Sequence, residues 1–169
     1  MSSRRRRALI EVICNTSPLQ YLHQIGQLSI LPALNGSIIV PPAVLVELDA
    51  GIEKGLDLPQ PANLRWIRVK SPISSPTVSL MTNLGPGESQ VLMLALEIPG
   101  SIALLDDALA RRVAISKGIP IKGTLGLLLD AKRSGLLIMV KPSLDRLEEL
   151  GFRLAQQTRE AVLKLAGES

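Results

Sequence analysis

The sequence predicts an α/β protein with a central parallel sheet of about five strands, covered by helices on both faces. Short runs of Ile, Val, Ala and Leu have the composition of strands that are buried on both sides. Longer helical stretches alternate with them, and parallel strands need such long crossover connections. The predicted strands are residues 8–14, 37–40, 65–70 (an edge strand), 102–105 and 119–121.

Helix start and stop residues separate these strands. Asn15-Thr16-Ser17-Pro18 carries capping side chains followed by a proline that suits a first helical turn. Thr124 is a further predicted cap, and Gly118 a terminator. The predicted helices begin at residues 18 and 42 and cover 88–97, 108–117, 125–133, 143–150 and 156–166, whereas 51–63 and 71–87 are predicted connections, the second with a short helix near 78–81.

The composition excludes several classes of protein. The chain has 169 residues, of which 46% are hydrophobic, which suits one globular domain rather than a disordered chain. Cys14 and His23 are the only cysteine and the only histidine, so a disulfide scaffold, a four-ligand zinc site and a serine–histidine triad are all poorly supported. Without an uninterrupted apolar span, we expect a cytoplasmic protein that does not interact with membranes.

The net charge of +4 comes entirely from Arg4, Arg5, Arg6 and Arg7. We therefore predict a basic, disordered N-terminal arm over residues 1–7 and a single domain over residues 8–169. The arm is suited to nucleic acid, although a merely solubilising terminus explains it equally well.

Five residues with oxygen-bearing side chains fall at predicted strand ends or helix starts: Asn15, Glu47, Glu88, Asp106 and Asp107. Each has a structural explanation of its own, as a helix cap, a surface charge or a partner of a helix dipole. Together they form a donor set that suits Mg²⁺ or Mn²⁺, which prefer oxygen ligands. A carboxylate cluster needs such a cation before an anionic phosphodiester can approach it.

Five segments occur in the order found in the PIN-domain superfamily, and they resemble most its DUF3368 branch, which is related to the VapC toxins of toxin–antitoxin pairs. The resemblance implies a three-layer α/β/α PIN-like fold and a ribonuclease that uses Mg²⁺ or Mn²⁺. It also implies RNA as substrate, with a cognate antitoxin protein and a homodimer as further partners. The segments are EVICNTSPL (11–19), IIVPPAVLVEL (38–48), GPGESQVLMLALE (85–97), ALLDDALARR (103–112) and IPIKGTLGLLLDAKR (119–133).

The resemblance also implies roles for individual residues. Its four acidic positions fall on Asn15, on Glu47, on Glu88 and on the pair Asp106-Asp107. Metal ligation is expected from Asn15, Glu47, Glu88 and Asp107, catalysis from Glu47, Glu88, Asp106 and Asp107, and a polar pocket from Thr16, Ser17 and Thr124.

Asn15 departs from this pattern, because the first position is commonly aspartate. An asparagine supplies a carbonyl oxygen without a charge, so weaker metal binding is expected. Two hypotheses stay open: a metal-dependent nuclease, and a catalytically weak or inactive PIN module that binds RNA or a protein. A third, an unrelated α/β domain whose carboxylates are caps and surface charges, is disfavoured by the order of the five segments.

Residues 108–133 carry six basic side chains against one acidic side chain. This surface is suited to RNA phosphates, although a solvated helix face is an equal alternative. Aromatic residues make up only 2% of the chain, which argues against recognition by base stacking. The predicted RNA-binding residues are Arg111, Arg112, Lys117 and Lys122.

Overall fold

The structure is a computed structural model that describes residues 9–73 and 83–169. It confirms the predicted α/β class: five parallel strands form one sheet in the order β3-β2-β1-β4-β5. The strands are β1 (Val12–Cys14), β2 (Ile38–Val40), β3 (Ile67–Val69), β4 (Ile102–Leu104) and β5 (Ile121–Lys122).

Helices flank this sheet. In the described ranges they are α1 (Thr16–Gln24), α2 (Ile30–Asn35), α3 (Pro42–Glu53), α4 (Pro86–Glu97), α5 (Ala108–Ser116), α6 (Thr124–Arg133), α7 (Lys141–Glu149) and α8 (Gln156–Leu165). None of the helices in these ranges combines the length and hydrophobicity that a bilayer crossing requires.

β1 lies at the centre of the sheet because all three of its residues are apolar and fully enclosed. Val12 is 4% exposed, and Ile13 and Cys14 are not exposed at all. The strand pairs with β2 on one side and β4 on the other, and α4 packs across both β1 and β4. The outermost strand, β3, is half-exposed, as predicted for an edge strand.

The strand order contains a topological switch point. From β1 the chain builds outward through β2 to β3, and it then returns to the opposite side of β1 to form β4 and β5. In open parallel sheets, ligands bind in the crevice outside the carboxyl ends of the strands at such a point. Here that crevice lies between the ends of β1 and β4, which Asn15 and Asp106 follow closely.

Several predicted boundaries were wrong. α3 continues to Glu53, beyond the predicted start of a loop at residue 51, and Gly51 lies buried within it, where a Cβ atom would clash with the Leu58 side chain. The strand predicted at 119–121 lies at Ile121–Lys122, and α4 begins two residues early, at Pro86. The predicted arm over 1–7 and the short helix near 78–81 lie outside the described residues.

Candidate active site

A cavity of about 310 Å³ opens at the switch point, between the carboxyl ends of β1 and β4. We call it the acidic cavity, because three carboxylates contribute to its wall. Its lining consists of Asn15, Ser17, Tyr21, Glu88, Asp106, Asp107, Phe152 and Arg153. The cavity thus brings together residues from four helical or strand segments that are far apart in the sequence.

Asn15 occupies the N-cap position of α1, but its side chain makes no capping hydrogen bond. The residue is 3% exposed, and its Oδ1 atom has no hydrogen-bond partner among the described residues. Capping, the structural explanation offered for this side chain, is therefore wrong. An unsatisfied buried carbonyl oxygen costs about 1–3 kcal/mol, so an oxygen kept in this state is poised to receive a ligand.

Glu47 is held beside Asn15 from the neighbouring helix α3. The Thr16 hydroxyl donates a hydrogen bond to Oε2 of Glu47, and the Gly87 amide donates one to Oε1 at 3.0 Å. These two donors lie on α1 and α4, so the carboxylate joins three helices. The Thr16 side chain thus orients a carboxylate rather than capping its own helix.

Gly87 allows this close arrangement. A Cβ atom at this position would lie 2.8 Å from both carboxylate oxygens of Glu47 and 2.9 Å from Oδ1 of Asn15. The absence of a side chain therefore leaves a small space bounded by three oxygen atoms. No larger residue would fit without displacing one of them.

Asp106 is a carboxylate of the cavity that accepts three hydrogen bonds. Its Oδ1 accepts the Thr124 amide at 2.7 Å, and its Oδ2 accepts the Thr124 hydroxyl at 2.7 Å and the Ser17 hydroxyl at 2.9 Å. Thr124 is the first residue of α6, and Gly123 rather than Thr124 is its N-cap. The prediction that Thr124 caps this helix was therefore wrong, because its hydroxyl binds Asp106.

Asp107 and Glu88 are the other two carboxylates that line the acidic cavity. Asp107 caps α5, since its Oδ2 accepts the Ala110 amide at 2.9 Å, so the structural explanation holds for one of its two oxygens. Glu88 lies in the first turn of α4 and contributes to the cavity wall. A Cβ atom on Gly85 would lie 2.5 Å from Oε2 of Glu88, so this glycine leaves space for the carboxylate.

The fit to a divalent cation rests on the Asn15 oxygen and the space above Gly87. Within residues 9–73 and 83–169, no three Asp, Glu, His or Cys side chains are grouped closely enough to hold a metal by themselves. The Asn15 carbonyl oxygen, which borders the same space as the Glu47 carboxylate, adds a neutral oxygen donor to the carboxylates of this region. Such a set suits Mg²⁺ or Mn²⁺, which accept neutral oxygens and keep positions for water and phosphate.

Cys14 is close to this site but is unsuited to nucleophilic chemistry. Burial raises the pKa of its thiol far above the usual range, and the negative charge of Asp106 raises it further. The thiol therefore remains protonated and packs as a small apolar group.

The predicted basic residues are not all near the acidic cavity. The Arg111 guanidinium donates to the Leu105 carbonyl oxygen at 3.0 Å, close to Asp106, whereas Lys122 forms an ion pair with Asp130. Arg112 and Lys117 are exposed on α5 and at its end, and neither lines the cavity.

Sequence reasoning missed Tyr21, Phe152 and Arg153. Phe152 and Arg153 lie far beyond the last acidic residue, between α7 and α8, so spacing gave no reason to include them. The one available signal was Gly151, which marks a helix end followed immediately by an aromatic residue.

Comparison with known proteins is consistent with this geometry. A family model for DUF3368, described as a PIN domain, matches residues 11–168. No curated protein and no solved structure matches the chain. The family match covers all five strands and all the residues assembled around the acidic cavity, and the chain therefore belongs to the DUF3368 family of PIN domains.

Proposed function

We propose that this protein is a metal-dependent ribonuclease that hydrolyses RNA phosphodiesters. PIN domains are generally nucleases that use divalent metals, which supports the broader class. The observation that carries the proposal is the buried Oδ1 of Asn15, which has no hydrogen-bond partner within residues 9–73 and 83–169 and lies beside Glu47 at a carboxylate-lined cavity.

Asn15, Glu88 and Asp107, which line this cavity, would hold Mg²⁺ or Mn²⁺ together with Glu47, which lies beside Asn15. When bound, such a cation supplies an activated water molecule and stabilises negative charge on a phosphodiester. This accounts for nuclease chemistry in a chain whose one histidine, His23, bonds Asp57 at 2.9 Å and does not line the cavity.

The remaining polar residues position this set. Thr16 and the Gly87 amide orient Glu47, while Ser17 and Thr124 orient Asp106. Because Asp106 already accepts three hydrogen bonds, we assign it a supporting part in the chemistry and give ligation to Asp107, whose Oδ1 is not used by the cap.

Asn15 itself favours a second candidate, a PIN module that binds RNA or a protein without cleaving it. Asparagine removes one negative charge from the donor set, which lowers affinity for a dication. The two candidates differ in one observable property, metal-dependent cleavage.

The test is cleavage of single-stranded RNA by the purified protein with Mn²⁺, with Mg²⁺ and with EDTA. Asp107→Asn retains a capping acceptor, and Glu88→Gln retains shape, so both variants should stay folded. We expect each to lose at least about 100-fold in rate, since residues that only support metal ligands already account for 10- to 100-fold.

Glu149→Gln, which alters an exposed ion pair on α7, is the matched control and should cleave normally. RNA binding without cleavage in either metal would favour the non-catalytic module. Activity that persists in EDTA and in Asp107→Asn would exclude the proposed mechanism.

The resemblance to toxin nucleases supports a further proposal, that the protein is the toxin of a toxin–antitoxin pair and forms a homodimer. Induced expression should then arrest growth, and Asp107→Asn should relieve the arrest. A cognate antitoxin protein would relieve the arrest caused by the unaltered chain when both are expressed together.

A further inference from the structure

A second cavity, of about 490 Å³, adjoins the acidic cavity on the β5 side. We call it the basic cavity. Asp106, Phe152 and Arg153 line both cavities and form the wall between them. The two cavities are therefore immediate neighbours.

The basic cavity carries three cationic side chains: Arg111, Lys122 and Arg153. Its one acidic lining residue, Asp106, already accepts hydrogen bonds from Ser17 and Thr124. Among the described residues, neither Arg111 nor Arg153 has a carboxylate within ion-pair distance, although Lys122 pairs with Asp130. The cavity therefore has an excess of positive charge beside the site proposed for the reaction.

Gly123 leaves space for the Arg111 guanidinium at the border of the two cavities. A Cβ atom there would lie 2.8 Å from Nη1 of Arg111 and 3.0 Å from Oδ1 of Asp106. The same guanidinium nitrogen donates to the Leu105 carbonyl oxygen, which fixes its position at the end of β4. Arg111 is thus a preorganised cation rather than a flexible surface side chain.

The wall between the cavities includes one aromatic side chain, Phe152, and a second, Tyr21, packs against it. Tyr21 and Phe152 pack edge to face, with ring centroids 4.9 Å apart and an interplanar angle of 89°. The chain contains only three aromatic residues, so two of them meet at this one place. Low aromatic content argued against base stacking, but the structure brings two of the aromatic side chains together at the acidic cavity, and Phe152 also lines the basic cavity.

The backbone places Phe152 firmly. Gly151 adopts a positive φ of 86° after α7; its amide donates to the Glu148 carbonyl oxygen at 3.0 Å, and the Phe152 amide donates to that of Leu147 at 2.9 Å. These two bonds form a Schellman closure. Across the next turn, Arg159 of α8 bridges Asp145 at 2.5 Å and Glu148 at 2.8 Å, which ties the two helices together.

We propose that the basic cavity binds the nucleotide next to the scissile one in a single-stranded RNA. Arg153 and Arg111 contact its phosphate, and Phe152 stacks on its base. The proposal rests on the proposed function for the identity of the polymer. Single strands are specified because bases in a duplex are not free to stack on a side chain.

The test measures binding of a short fluorescent oligouridine by anisotropy in EDTA, so that binding is recorded without cleavage. Arg153→Gln should weaken binding about threefold or more and should lower the salt-dependence slope by about 0.7, the value for one phosphate contact on a single strand. Arg146→Gln, an exposed arginine on α7, is the control and should leave both quantities unchanged.

Phe152→Leu should weaken binding about fivefold or more without changing the salt slope, and Phe152→Trp should restore it, because stacking needs a ring. If Phe152→Leu lowers thermal stability, Arg153→Gln, at an exposed position, still decides the question. The proposal is overturned if Arg153→Gln and Phe152→Leu both bind the RNA as Arg146→Gln does. It is also overturned if polyglutamate of equal charge displaces the RNA equally well, since the cavity would then select acidic protein.

This test separates the two proposals. Binding that depends on Arg153 and Phe152 without metal-dependent cleavage would support the nucleotide site and reject the nuclease. Cleavage that is lost in Asp107→Asn, together with RNA binding that is unchanged by substitutions of Arg153 and Phe152, would support the nuclease and reject the nucleotide site.

Discussion

Two regions of this protein bury polar oxygen atoms, and they treat them in opposite ways. Near the C-terminus, the Glu168 side chain is 5% exposed and accepts the Val140 amide at 2.8 Å, the Lys141 amide at 3.0 Å and the Lys132 ammonium at 2.9 Å. In the acidic cavity, Oδ1 of Asn15 is equally enclosed and accepts nothing among the described residues.

The Glu168 carboxylate therefore stabilises the fold, whereas Oδ1 of Asn15 is available to a ligand. Glu168 joins α6 to the start of α7, and its hydrogen bonds offset the cost of its burial. The Asn15 oxygen, which lacks a hydrogen-bond partner among the described residues, lowers stability unless a ligand binds it. We therefore expect substitutions in the two regions to affect different measurements.

The largest expected effect is on activity, from Gly87→Ala. The added methyl group enters the space bounded by Asn15 and Glu47, so metal affinity and metal-dependent cleavage should each fall about 10- to 100-fold. Titration with Mn²⁺ and a cleavage assay measure this. Ser89→Ala on the same helix is the control, and equal behaviour of the two variants would contradict the assignment.

Glu168→Ala should affect stability instead. Removing the shared acceptor leaves the Val140 and Lys141 amides without this partner and leaves Lys132 with the Ala166 carbonyl oxygen alone, which should cost about 2–3 kcal/mol in the free energy of unfolding. Urea denaturation measures the loss, and Glu149→Ala should cost less than about 0.5 kcal/mol. RNA cleavage by the folded variant should remain normal; a cleavage defect would show that the two regions are coupled.

Asn15→Asp should change both metal affinity and stability. A carboxylate here should tighten Mn²⁺ binding about tenfold, because it adds a negative charge to the donor set. In EDTA the same charge faces Glu47 without compensation, so the melting temperature should fall, and Mn²⁺ should restore it. A variant whose stability does not respond to metal would argue against a cation at this position.

The smallest effect concerns pH. Burial alone would raise the pKa of Glu168, but hydrogen bonds from Val140, Lys132 and Lys141 outweigh it, and the pKa is lowered below its ordinary 4.5. A lowered pKa in the folded state gives stability that is complete above the ordinary value and is lost as pH falls toward the folded value. Denaturation between pH 6 and 3 should therefore show a decline below about 4.5 that is absent in Glu168→Gln.

Much of the fold followed from local patterns. β1, β2 and β4 are continuous apolar runs, and such runs can be stable only when both faces are covered. Boundaries were less accurate, as at Glu53 in α3, because a glycine by itself predicts a helix end, whereas Gly51 lies buried inside this helix against Leu58. Propensity describes single residues, whereas this contact joins two segments.

The positions of Asn15, Glu88 and Asp106 at strand ends and helix starts were readable from spacing, and the parallel sheet explains why they lie at one edge. Glu47 lies in the middle of α3 rather than at its start, and it reaches the same edge through the packing of that helix. Their hydrogen-bond partners were not readable. Thr16 could equally well have capped α1, and only the approach of α3 shows that it donates to Glu47 instead. Phe152 was missed because nothing local relates the end of α7 to the end of β1.

The sequence alone determined the class of fold, the acidic character of one sheet edge and the substitution of a neutral amide at its first position, because periodicity and side-chain chemistry are local properties. The tertiary structure decided which buried oxygens are satisfied, which glycines leave room for them and which cations and aromatic rings stand beside the cavity. Those properties depend on distances between segments that are remote in the chain, and such distances are set only when the helices pack on the sheet.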